Sequence, residues 1–124
     1  METNSSDQMK TSLVRRIQPD PIDVVMKKIV GEQDIVVTEL TDGSGAIVIF
    51  SLEKHGARNA KIIDRNGKVR ADVELPSRFQ FGIGFSDAYY INGELTAIFV
   101  ENGRDFAFVV DEKTGAVTRY YETR

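Results

Sequence analysis

Residues 21–30 have the hydrophobic period of an amphipathic helix. The apolar positions recur at helical spacing and share one face: Ile22, Val25, Met26, Ile29 and Val30. Before them, Asp20 is a suitable N-cap, and Pro21 suits the first helical position because its missing N–H has no role there. Gly31 supplies a stop. We therefore predict a helix over 21–30 that covers one face of a sheet.

From Asp34 onward the hydrophobic period changes to two, which is typical of strands. In the clearest run, 68–75, Val69, Ala71 and Val73 are expected to be buried, and the residues between them are expected to face water. Three Asn-Gly pairs separate alternating runs and predict type I′ hairpin turns, at 66–67, 92–93 and 102–103. A longer loop, 111–115, places Gly115 in the left-handed position, and 41–45 is a looser turn.

The strands form a repeat. Residues 34–75 and 87–121 each predict a meander of four strands, offset by roughly fifty residues. A strand ending in Asp is followed by a turn with Gly in both 63–67 and 110–115, and in this rhythm the repeats resemble blades of a β-propeller. Propellers close with at least about four blades. Two blades are therefore expected to pack face to face, to join into one curved sheet, or to pair with another copy.

These patterns predict a mainly β (α+β) fold, with one N-terminal helix and seven or eight antiparallel strands in two four-stranded meanders. The chain has 124 residues, of which 41% are hydrophobic, so one domain with an ordinary core is expected. We assign that domain to 19–124. Residues 1–18 are polar and are expected to form a flexible arm, to which Leu13, Val14 and Ile17 could add a short extended piece.

Composition indicates the cellular compartment in which the protein works and the classes of partner that it can bind. The sequence has no cysteine, no apolar leader and no apolar run near the ~18 residues of a membrane span, so we expect a cytoplasmic protein with no membrane partner. The net charge is -3, and the basic residues are scattered instead of forming a stripe that could neutralise phosphates. Nucleic acid is therefore not an expected partner.

Candidate catalytic and metal-binding residues are few. His55 is the single histidine and lies in a polar segment, 53–58, without a nucleophile motif nearby, so we interpret it as a dispensable, solvated turn residue. Gly82-Ile83-Gly84 lacks the third glycine and the helix of a phosphate loop, and a bulged strand is the better interpretation. Asp111-Glu112 and Asp42 are too sparse for a calcium loop. We predict no metal and no cofactor.

The second repeat offers a candidate protein-binding surface. From Asp87 to the C-terminus there are seven acids against four bases, and the adjacent tyrosines at 89–90 and 120–121 must point to opposite faces of their strands. Outward tyrosines are favoured at interfaces, although core packing and solvated strand faces remain the ordinary alternative. The predicted partner-binding residues are Phe79, Phe85, Asp87, Tyr89, Tyr90, Glu94, Glu101, Asp105 and Tyr121.

Three function classes remain: an enzyme, a small-molecule-binding or scaffold β module, and a protein-binding inhibitor. The third is favoured and the enzyme is least favoured, since no acid, base or nucleophile constellation is visible. A small, acidic, chemically plain domain is similar in type to the immunity proteins of bacterial toxin systems. That resemblance implies tight binding to a toxin, whose basic active-site cleft an acidic sheet edge could fill. Neither the partner's identity nor the oligomeric state follows from the sequence.

Overall fold

A computed structural model describes residues 21–123. The helical segments are α1 (Ile22–Val30), α2 (Leu52–His55) and a short 3-10 turn, η1 (Ser77–Phe79). The strands are β1 (Val36–Glu39), β2 (Gly45–Ile49), β3 (Ala60–Asp64), β4 (Val69–Asp72), β5 (Gly84–Ile91), β6 (Glu94–Glu101), β7 (Arg104–Val110) and β8 (Val117–Glu122). The arm predicted over 1–18 and the N-cap predicted at Asp20 lie outside the described residues.

The eight strands form two antiparallel sheets, ordered β1-β2-β3-β4 and β5-β6-β7-β8, which confirms the predicted fold class. The two sheets pack against each other through a shared core, so the meanders do not join into one curved sheet. The core between them contains aliphatic residues of the first sheet, such as Ile47 and Ile62, and a cluster of aromatic rings. Within that cluster the Phe85 and Phe99 rings are 5.0 Å apart, and the stacked Phe99 and Phe108 rings are 5.2 Å apart.

Helix α1 covers the other face of the first sheet, as the apolar stripe predicted. It begins at Ile22 with Pro21 as N-cap and ends at Gly31, whose left-handed conformation (φ +74°) lets its N–H donate to the Lys27 carbonyl. Met26 is fully buried in a second core cluster. The cluster's other buried members are Ala46, Val48, Phe50 and Ile63. The domain therefore has three layers, in the order helix, first sheet, second sheet.

The burial predicted for the strand at 68–75 is partly wrong. Val73 is 2% exposed as expected, but Val69 is 47% exposed. The pairing of β3 with β4 shifts register between Ile62 and Ile63, so that Ala71 pairs with Ile62 while Val69 pairs with Ile63. This bulge moves Val69 to the helix side of the sheet, because one extra residue reverses the alternation of side chains.

The hairpin turns confirm most of the sequence prediction. Asn92 and Asn102 have φ near +50°, and the glycines that follow them are also left-handed, as a type I′ turn requires. The Asn66-Gly67 turn differs, since only Gly67 has a positive φ there. In that turn the Asp64 carboxylate accepts the amides of Asn66 and Lys68, which stabilises a longer loop. Gly115 is left-handed, as predicted.

Two helical segments were missed in the sequence. The polar segment 53–58 was taken for a turn but contains most of α2, which Ser51 caps by accepting the Lys54 amide at 3.3 Å. The linker 76–87 contains η1 and the start of β5. A register shift between Phe85 and Asp87 confirms the bulged-strand interpretation of the glycines before it. Between residues 21 and 123 no helix is long and apolar enough to cross a membrane.

Candidate functional site

The outer face of the second sheet, which points away from the first sheet, carries most of the predicted partner-binding residues. The strand register places its side chains in two rows across β5, β6, β7 and β8. One row is Asp87, Ile98, Ala107 and Tyr121, and the next is Tyr89, Thr96, Val109 and Arg119. Glu94 and Asp105 share this face by alternation with Thr96 and Ala107. Five of the nine predicted residues therefore lie on one surface.

Tyrosine rings stand at both margins of this outer face. Tyr89 on β5 is 41% exposed, and Tyr121 on β8 is 40% exposed. Their strands are three spacings apart, or about 14 Å. The positions between the rings are closed to solvent: Thr96 is 1%, Ile98 6%, Ala107 0% and Val109 7% exposed. The two tyrosine rings are therefore far more accessible than the positions between them.

Charge on the outer face is predominantly negative. Among residues 21–123, three carboxylates, those of Asp87, Glu94 and Asp105, share the face with one guanidinium, that of Arg119. Arg119 donates to the Glu94 carboxylate, and its guanidinium carbon lies 5.6 Å from the centre of the Tyr121 ring. These contacts hold Arg119 beside Tyr121, while Asp105 is exposed near the start of β7.

Two predicted aromatic anchors are corrected by the structure. Phe79 is 0% exposed and Phe85 is 1% exposed, and both belong to the core between the sheets. The Phe79 ring is 5.0 Å from Phe106 and 4.8 Å from Phe108. Neither ring can contact a partner unless the domain opens, so the core alternative holds for both residues.

Tyr90 and Glu101 also lie away from the outer face. Tyr90 packs against the core, where its hydroxyl donates to the Glu112 carboxylate at 2.8 Å and accepts the Thr41 amide at 3.1 Å. Burial, reinforced by the hydrogen bond to Glu112, raises the pKa of Tyr90 above its ordinary value. Glu101 accepts from Arg78 through both carboxylate oxygens at 2.9 Å. Both residues therefore make contacts that join segments of the fold.

His55 is not the solvated turn residue that the sequence predicted. Its side chain is 26% exposed, its ring centre is 4.5 Å from that of Phe50, and its Nε2 lies 3.0 Å from Glu32 Oε2. The nearby Ser51 hydroxyl accepts the Lys54 amide, as an N-cap does. His55 therefore connects α2 to the segment that follows α1. Its contacts with Phe50 and Glu32 are those of a structural residue.

The sequence analysis did not predict two features of the surface: the charge of Arg119 on the outer face and the exposed ring of Phe81. Arg119 was absent from the predicted surface, although it precedes Tyr121 by two positions, and alternation along a strand places such residues on one face. Phe81 is 91% exposed in the connection between η1 and β5, and the nearby Ile83 is 53% exposed. The sequence places phenylalanines at 79, 81 and 85 in this connection, but the spacing does not show which of these rings point outward.

Two of the depressions on the described part of the surface are shallow. One, of about 210 Å³, is lined by Gly103, Arg104, Asp105, Glu122 and Thr123. The other, of about 340 Å³, is lined by Val24, Lys27, Lys28 and Gln33 on and after α1. Ligand sites typically combine an apolar lining with a few convergent polar groups, and neither depression does. Among residues 21–123, no group of three or more His, Cys, Asp or Glu side chains is placed to hold a metal ion.

Comparison with protein-family models, curated proteins and solved structures finds no match to this chain.

Proposed function

We propose that this protein is a non-catalytic binding module that neutralises a partner protein by occupying the partner's functional surface. The observation that carries the proposal is the outer face of the second sheet, where two exposed tyrosines flank three carboxylates and one guanidinium. This combination comes from four consecutive strands of a hydrogen-bonded sheet. It is therefore a preformed surface, and binding to it requires little ordering of the backbone.

Tyrosine suits the anchoring role in such a complex. A tyrosine ring supplies a large contact area with few rotatable bonds, and its hydroxyl finds a polar partner at the rim. Hot spots of protein interfaces are enriched in tyrosine, and truncation of one typically costs about 2 kcal/mol or more. In the described part of the chain, Tyr89 and Tyr121 are the two rings on this face. We infer that they hold the partner.

The negative charge indicates what the partner's surface carries. An acidic face attracts a basic one, accelerates the encounter and repels acidic surfaces. A toxin that acts on nucleic acid needs a basic cleft, and such a cleft would be complementary to Asp87, Glu94 and Asp105. We therefore propose a basic toxin domain as the partner and the cytoplasm as the place of action, in keeping with the resemblance to immunity proteins.

A photo-crosslinking experiment tests the proposal. A benzophenone amino acid replaces Tyr89 in one protein and Val24, which is 43% exposed on α1, in a matched control. Both are expressed in the native host and exposed to light. We expect one protein to crosslink through position 89 and not through position 24. Purified wild-type protein should then inhibit that partner's activity, with an end-point at one equivalent. A captured partner that stays fully active in excess protein would refute neutralisation.

A further inference from the structure

The domain has four edge strands, and three of them are protected. In the second sheet, the free edge of β5 is covered by the first sheet. Asn59 donates to the Phe85 carbonyl and accepts its N–H, both at 2.8 Å, and the Thr38 hydroxyl donates to the Ala88 carbonyl at 2.6 Å. Side chains therefore occupy the backbone groups that another strand would need.

The edges of the first sheet are short. Strands β1 and β4 have four residues each, and β1 packs against α1. Beyond β4, the Glu74 N–H donates to the Gly115 carbonyl at 2.8 Å, and the Glu74 carboxylate accepts the Val117 amide at 2.8 Å. These bonds attach the end of β4 to the β7–β8 loop. Short, attached edges offer little backbone to an incoming strand.

Strand β8 is the exception over residues 118–122, because the bond to Glu74 occupies only the amide of its first residue, Val117. It has six residues, five of them exposed, and it contains neither proline nor glycine. The Thr123 N–H donates to the Asp105 carbonyl at 2.9 Å, so by alternation Tyr121 and Arg119 also direct their backbone groups toward β7. The backbone groups of Tyr120 and Glu122 must then point outward. Within 21–123, no strand pairs with that side of β8.

We propose that this edge binds a second copy of the same chain, with the two β8 strands antiparallel about a two-fold axis at Tyr120. In this register the backbones of the two Tyr120 residues exchange hydrogen bonds, and the outward N–H of each Glu122 reaches the Thr118 carbonyl of the second copy. The choice of Tyr120 as the centre matches the outward direction of its backbone groups. It also aligns 118–122 of both copies without an overhang.

The side chains of β8 suit this self-pairing. Directly opposed residues of an antiparallel pair lie on one face and interact. Arg119 would face Tyr121 of the second copy, which repeats across the interface the guanidinium–ring contact already present within the chain at 5.6 Å. Glu122 would face Thr118. In this register neither the arginine nor the glutamate of β8 faces a residue of like charge in the second copy.

Pairing at β8 would join the two second sheets into one sheet of eight strands. Their outer faces would then be continuous, because a two-fold axis normal to the sheet keeps each face on its own side. The inference rests on the hydrogen bonding and exposure of β8, and it holds whether or not the outer face binds a partner.

The test compares two substitutions of one outward residue. Glu122→Pro removes the outward N–H and leaves the bonds to β7, whereas Glu122→Ala removes only the side chain. Sedimentation equilibrium of the full chain over a wide concentration range should give twice the chain mass for wild type and for Glu122→Ala. Glu122→Pro should weaken dimerisation by at least about tenfold, as the loss of two hydrogen bonds predicts. A wild type that is monomeric at every concentration, or a proline variant that dimerises equally well, overturns the proposal.

Hydrogen exchange of the wild type is an independent test of pairing at β8 if the proline variant does not fold. The amides of Tyr120 and Glu122 should be protected at concentrations where the dimer forms and should exchange at least about tenfold faster after dilution. The amide of Tyr121, which faces β7, should not change. Fast exchange of the two outward amides in a concentrated sample would overturn the proposal.

Discussion

The side chain of Asn59 binds both backbone polar groups of Phe85: its Nδ2 donates to the Phe85 carbonyl, and its Oδ1 accepts the Phe85 N–H, each at 2.8 Å. The same Nδ2 donates to the Phe50 carbonyl at 2.7 Å. Asn59 is completely buried immediately before β3, so one amide connects the two sheets in their shared interior.

Replacement of this amide should destabilise the whole domain. Asn59→Ala leaves the Phe85 N–H and two carbonyls without these partners, and buried unsatisfied groups each cost about 1–3 kcal/mol. We expect a loss of roughly 2–4 kcal/mol in the free energy of unfolding, measured by urea denaturation. The control is Asn66→Ala in an exposed turn, which should stay within about 0.5 kcal/mol of wild type. Equal effects of the two substitutions would contradict the assigned role of Asn59.

Two left-handed glycines should respond differently to alanine. Gly93 (φ +81°) and Gly115 (φ +76°) have similar conformations, and alanine at either should cost about 1–2 kcal/mol from backbone strain. A Cβ at Gly93 would meet nothing within 4 Å, whereas one at Gly115 would lie 2.2 Å from the Asp72 carbonyl oxygen. The Gly115→Ala variant should therefore be less stable than Gly93→Ala by at least about 1 kcal/mol in thermal unfolding. Similar melting temperatures would show that the β7–β8 loop does not press on β4.

Tyr90→Phe should have a pH-dependent effect. The fold raises the pKa of Tyr90 above 10.0, so the folded protein holds the phenolic proton more tightly than the unfolded chain. The resulting stability is fully present below pH 10 and is lost as the pH rises through the folded pKa. At neutral pH the variant should lose about 1 kcal/mol through the bonds to Glu112 and Thr41. Urea unfolding above pH 10 should show a smaller difference from wild type, and a constant difference would contradict this account.

The regular part of the fold could be predicted because local patterns determined it. The stripe from Ile22 to Val30 produced α1, and the Asn-Gly pairs at 92–93 and 102–103 produced the expected turns. The exposure of Val69 could not be predicted, since a bulge leaves no mark on the alternation of apolar and polar residues. Asn59 gave no signal either, because its three hydrogen bonds join residues 9 and 26 positions away.

The candidate site was predictable to the extent that strand alternation governs it. Asp87, Tyr89 and Tyr121 share the outer face because each lies at an outward position of a regular strand. Strand alternation could not predict which phenylalanines between β4 and β5 are buried. The chain in that connection turns through η1, which buries Phe79 and exposes Phe81, and only the packing of the two sheets decides between those outcomes.

Asp105 offers a clean test of electrostatic steering. Glu94 is the less suitable residue to reverse, because it pairs with Arg119 beside Tyr121. We expect Asp105→Lys to slow association with the partner by about tenfold at low salt and to leave dissociation nearly unchanged. The control is Glu53→Lys on α2, an equal charge change away from the outer face, and stopped-flow kinetics measure both. Equal slowing by both variants would indicate an effect of net charge alone.

The most direct test of the central claim compares the rates at which the captured partner dissociates from two variants. Tyr89→Ala changes the outer face, and Phe81→Ala changes the connection before β5. Both remove an exposed aromatic ring, but only Tyr89 lies on the outer face of the second sheet. The account predicts roughly thirtyfold faster dissociation from Tyr89→Ala, equivalent to about 2 kcal/mol, and no change for Phe81→Ala. Faster dissociation from Phe81→Ala, with Tyr89→Ala equal to wild type, would contradict it.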